Sequence, residues 1–130
     1  MHREAIADII RTIENFGREL ARLSASVSQH DRAQLIAMRR GYAELAHGIN
    51  DAVEKALAAM PTADSAELQM NFRTKTGNIR KATAEHQARF TAVSVADDPL
   101  AYGASVKRVS EMQQDLLLWL KTQLLPLLPR

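Results

Sequence analysis

Few residues in this chain could carry acid–base, phosphoryl or metal chemistry, and the four histidines come first. His2 is terminal and His30 lies in a polar stretch, so both imidazoles are expected to face solvent. His47 falls off the apolar face of its segment, where an exposed imidazole can accept a phosphoryl group. Asp51, one turn on in the run His47-Gly48-Ile49-Asn50-Asp51, would repel that group. His86 differs, because it sits in an apolar stripe with Ile79, Thr83 and Phe90. A partly buried imidazole needs hydrogen-bond partners, and Thr83 at i−3 is the nearest. The functional alternative for His86 is contact with a small ligand inside a helical bundle, which predicts a cavity there.

Carboxylate metal sites in bundles need Glu-x-x-His pairs on two helices. Glu44 and His47 have that spacing, but they lie on the polar side and no second pair exists. The chain has no cysteine, which excludes disulfides, thiolate nucleophiles, Cys-based zinc sites and C-x-x-C-H haem attachment. No G-x-S-x-G turn is present, and the five isolated glycines build no phosphate loop. A non-enzymatic protein without metal or cofactor is expected.

Cationic chemistry is concentrated in one place. The net charge is +2, and the excess lies in residues 61–93, where Arg73, Lys75, Arg80, Lys81 and Arg89 face Asp64, Glu67 and Glu85. Within NFRTKTGNIRKAT, Arg73 and Arg80 are seven apart and share a helix face, with Lys81 beside them. Such a face can hold phosphate or nucleic acid, with Asn71 and Asn78 adding hydrogen bonds. Phe72, however, is expected to point into the core and offers no base-stacking platform. The alternative reading is a solvated helix face.

Four helices must position these groups. Ile6, Ile9, Ile13, Phe16, Leu20, Leu23 and Val27 recur at steps of three and four, which keeps one apolar stripe on one side of a helix. Asp31 is placed to cap a second helix, whose stripe runs Leu35, Met38, Tyr42, Leu45, Ile49, Ala52, Val53, Ala56 and Met60 before Pro61 ends it. Asp64 and Glu67 have capping-box spacing and open a third helix with the stripe Leu68, Phe72, Ile79, Thr83, His86, Phe90 and Val93. Gly77 lowers its propensity by roughly 1 kcal/mol relative to Ala and marks an expected kink or close helix approach. Asp98 and Pro99 start the fourth, with Tyr102, Val106, Val109, Met112, Leu116, Leu120 and Leu124 inward and Pro126 and Pro129 limiting its end.

Helices over about 2–28, 32–60, 65–94 and 99–125, joined by short polar loops, predict an all-α fold: one antiparallel up-down-up-down four-helix bundle across residues 1–130. A pair of helical hairpins that completes its core by dimerising has the same helix lengths. The composition, 46% hydrophobic and 25% charged, is that of a globular chain. The N-terminus MHREAIADII lacks the continuous apolar core of a signal peptide. The longest apolar run, Leu116 to Leu120, is far short of the roughly 20 residues that span a bilayer. A cytoplasmic protein is expected.

The closing segment DLLLWLKTQLLPLLPR is apolar around most of its circumference. Leu116, Leu120 and Leu124 belong to the core stripe, which leaves Leu118, Trp119, Leu125, Leu127 and Leu128 to be covered by something else. These five are the expected surface for a second copy or a protein partner, with Trp119 as anchor. The leading expectation is therefore an adaptor, chaperone or assembly subunit that works through protein contacts and forms homo-oligomers. The segment LSASVSQHDRAQLIAMRRGYAEL, with its leucine-rich helix, polar break and second leucine-rich helix, resembles flagellar and type III secretion chaperones in amphipathic texture. It contains no diagnostic residue, so the resemblance implies a fold and a mode of action but no site.

Overall fold

The computed structural model describes residues 2–25, 32–91 and 98–129. It is an all-α bundle of four helices: α1 His2–Ala25, α2 Arg32–Ala58, α3 Thr62–Arg89 and α4 Pro99–Trp119. No strand occurs among the described residues. A π-helical turn, Leu120–Leu124, and a 3-10 turn, Leu125–Leu127, continue α4. No described helix is long and apolar enough to cross a membrane.

Cross-helix contacts pair rising residue numbers on one helix with falling numbers on its neighbour. Arg39 reaches Phe90 and Glu54 reaches Arg73 between α2 and α3. Lys75 meets Asp115, and His86 meets Ser105, between α3 and α4. Glu14 holds Lys121 at 2.8 Å, and Arg3 donates to the Leu128 carbonyl at 3.4 Å, so α1 runs against α4 and its continuation. Phe16 packs on Tyr42 between α1 and α2, with ring centroids 6.4 Å apart.

The main core joins Ile6, Ile10 and Ile13 of α1 to Ile49, Val53 and Leu57 of α2, Phe72 of α3, and Leu116, Leu117, Leu120, Leu124 and Leu128. Full burial of side chains of this size contributes about 1.5–3 kcal/mol each. Ile10, Leu57 and Leu117 are additions to the expected stripes. Ile10 and Leu57 each lie four residues after a stripe position and Leu117 directly follows one, because a core-facing stripe is more than one residue wide. A smaller cluster, Phe90 and Tyr102, sits apart with Met38, Ala101 and Val106 against it.

Helix ends follow local chemistry. Asp98 caps α4 as expected, accepting from the Ala101 N–H at 3.1 Å with Pro99 in the first turn. The start of α3 corrects the expected one. The helix begins at Thr62, and the Pro61 carbonyl accepts from the Asp64 and Ser65 N–H groups, so no side-chain cap forms. Proline ends α2 and also starts α3, because its fixed φ suits a helix entry. Gly77 is corrected as well: α3 runs unbroken through it, and a Cβ placed there would meet nothing within 4 Å. The close approach is at Gly41, where a Cβ would lie 2.8 Å from the Phe16 ring. Asp31, Val27, Val93 and His30 lie outside the described residues.

Candidate functional site

Two of the helices carry a half-buried polar residue one turn before an inward position. Arg39 lies three residues before Tyr42 on α2 and Gln113 three before Leu116 on α4, while Gln87 of α3 is exposed at the rim. A bundle cannot close tightly over such groups, and it leaves a cavity of about 500 Å³ there. Ile13, Tyr102, Val106, Val109 and Leu117 supply its apolar wall, and Arg39, Tyr42, Thr83, His86 and Gln113 its polar groups. A second space of about 400 Å³ shares Arg39, Tyr42, Thr83 and Gln113 with the first. The exposed lining residues Arg18, Leu118 and Lys121 put the first mouth between α1 and α4. Ala43, His47, Arg80 and Ala84 put the second between α2 and α3. Volumes of this size match those of small-molecule sites.

Arg39 is the central charge. Its Nη1 donates to the Phe90 carbonyl at 2.9 Å, one of the orphan carbonyls at the end of α3, where a cation also complements the helix dipole. Its Nη2 is buried with no hydrogen-bond partner. A buried donor left unpaired costs about 1–3 kcal/mol. The Arg39 side chain lines both cavities, while Nη2 itself is sealed by the atoms around it.

His86 is half-buried as expected, but its partner is Ser105 instead of Thr83: the Nδ1–Oγ distance is 2.6 Å. Its ring lies 5.5 Å from both Phe90 and Tyr102. Burial first, and the nearby Arg39 charge second, lower its pKa to about 4, so the ring is neutral at pH 7. A serine hydroxyl against an imidazole is the contact from which serine nucleophiles are built. An imidazole with a pKa of about 4 is a weak acceptor for that proton, however. The Tyr42 phenol is pushed well above its ordinary value by burial and stays protonated as a donor.

The residues expected to form a partner surface separate. Leu128 is buried at 4% and belongs to the core, which corrects its assignment to that surface. The cause is the π turn: the Leu125 N–H bonds the Leu120 carbonyl five residues back, and the extra residue re-phases the chain so that Leu120, Leu124 and Leu128 all turn inward. Trp119 stacks on Phe72 with centroids 6.3 Å apart, and Leu125 packs partly against the core. Leu118 and Leu127 stay exposed, at 59% and 57%.

The basic face of α3 is also divided. Arg73 is held by both Glu54 oxygens, at 3.0 and 3.2 Å. Arg80 stands at the rim of the second cavity mouth, and Lys81 is open to solvent. Among the described residues no group of three or more His, Asp or Glu is placed to hold a metal. Arg39, Gln113 and Ser105 were not singled out from the sequence, although the first two stand half-buried where an apolar residue is the rule. Comparison with known proteins adds no relative: no family model, no curated protein and no solved structure matches this chain.

Proposed function

We propose that this protein is a non-enzymatic ligand-binding bundle that takes a small molecule into the cavity around Arg39 and His86. The observation that carries the reading is a cavity of about 500 Å³ that sets an apolar wall against the Arg39 side chain and the polar groups of Tyr42, His86 and Gln113. The weakly basic imidazole beside Ser105 favours binding over catalysis. Native mass spectrometry of the purified protein, followed by a thermal-shift panel of small organic acids, amines and alcohols, tests the reading. A co-purifying mass or a concentration-dependent rise in Tm is expected. An unliganded chain whose Tm no compound moves would sink it.

A second reading rests on Leu118 and Leu127, two large side chains more than half exposed near the end of the bundle. In this reading the protein works through protein contacts, first of all with a second copy of itself. Light scattering should then report a dimer or larger species that Leu118→Glu with Leu127→Glu returns to a monomer. A wild-type monomer at high concentration removes self-association.

A further inference from the structure

We propose that the ligand is an organic monocarboxylate with a compact apolar body, its carboxylate paired with the Arg39 side chain that lines both cavities. The inference deepens the ligand-binding reading and rests on it. The two cavities are lined by four cationic side chains, Arg18, Arg39, Arg80 and Lys121, against one carboxylate, Glu14. Glu14 is already engaged by Lys121 at 2.8 Å, so among the described lining residues no carboxylate serves Arg39. The described lining therefore carries a positive field, and it favours an anion.

Position limits the charge of that anion. Arg18, Arg80 and Lys121 are exposed at the mouths, where solvent screens them. Among the described lining residues Arg39 is the one half-buried Arg or Lys away from the mouths, and its Nη1 is committed to the Phe90 carbonyl. His86 beside it adds no positive charge at neutral pH. A dianion such as a phosphate monoester would carry one charge more than the interior can pair, at a steep desolvation cost. A carboxylate matches that single charge, with the protonated Tyr42 hydroxyl and the Gln113 amide lining the same space. The remaining wall, Ile13, Tyr102, Val106, Val109 and Leu117, can contact only an apolar body.

The test is isothermal titration of the full chain with four probes: octanoate, octan-1-ol, octylammonium and inorganic phosphate. Octanoate should bind once per chain, at least about tenfold more tightly than octan-1-ol, as expected for a charge-assisted hydrogen bond in a buried site. Octylammonium should bind more weakly than the alcohol. Arg39→Gln should erase the preference for octanoate and leave octan-1-ol binding in place. Should that variant fail to fold, the wild-type ratio of octanoate to alcohol decides alone. Equal binding of octanoate and octan-1-ol would overturn the carboxylate assignment while leaving the cavity a ligand site. Phosphate binding as tightly as octanoate would overturn it in favour of the exposed rim cations. If none of the probes binds, the ligand-binding reading fails as well.

Discussion

The two halves of this bundle use the same helical repeat for opposite ends. In the half that holds Ile6, Ile10, Val53, Leu57, Phe72, Leu120 and Leu124, each of these inward side chains is apolar and at most 2% exposed. In the other half, half-buried positions carry Arg39, Thr83, His86 and Gln113, and the helices border two cavities that share Arg39, Thr83 and Gln113. Phe90 and Tyr102 close the far side as a separate aromatic cluster. The first half has the composition that stabilises a fold, and the second has the composition that leaves room for something else. Removing apolar atoms should therefore cost much more in the first half than in the second.

Phe72→Ala tests this most strongly. Phe72 is fully buried and stacks on Trp119, so truncation should destabilise by about 3–5 kcal/mol in a denaturant titration. Val109→Ala, at the wall of an existing cavity, should cost about 1 kcal/mol or less, since fewer contacts are lost. Equal losses would mean that the second half is as tightly packed as the first.

The closed half was legible in the sequence and the open half was not. Three- and four-residue spacing of Ile, Val, Leu and Phe found all four helices, and Asp98-Pro99 set the start of α4. The same spacing, read only for apolar residues, passed over Arg39 and Gln113, which stand half-buried in the same repeat. His86 was found because it lies among apolar residues. Its partner Ser105 is 19 residues away on another helix, a distance that no local pattern encodes. The π turn was hidden for another reason. Pro126 and Pro129 signal that the helix must end, but which residues then turn inward depends on how the last turns widen, so Leu128 was placed on the wrong side.

The second prediction uses pH to separate the halves. The unfolded chain protonates His86 near its ordinary value of 6.5, whereas the folded chain does so only near 4. Above pH 6.5 both states are neutral, and this residue gives stability no pH dependence. Between 6.5 and about 4 the unfolded state takes up the proton first, so stability falls as pH falls, by about 1–2 kcal/mol for a half-buried ring. Arg39 from α2, Phe90 of α3, and Ser105 and Tyr102 from α4 surround the ring, and of these only Arg39 is charged. His86→Gln should flatten that interval. Glu54, held by Arg73 and Gln69 across α2 and α3, is shifted downward instead, and its stabilisation is lost only at lower pH. Retention of the decline in His86→Gln would place its origin elsewhere.

The smallest effect compares two glycines. Gly77 is exposed in the middle of α3, and a Cβ there would meet nothing within 4 Å. Gly77→Ala removes unfolded-state freedom and raises helix propensity at no steric cost, so it should stabilise by about 0.5–1 kcal/mol. Gly41→Ala makes the same change in α2, but its Cβ would stand 2.8 Å from the tip of the Phe16 ring. That ring packs on Tyr42, which lines both cavities, so the ring must shift and part of the gain is lost. Thermal melts should show a smaller gain for Gly41→Ala than for Gly77→Ala, and the displaced ring should alter ligand uptake in the first variant alone. Equal gains, with binding unchanged in both, would show that the Phe16–Tyr42 contact does not support the cavity wall.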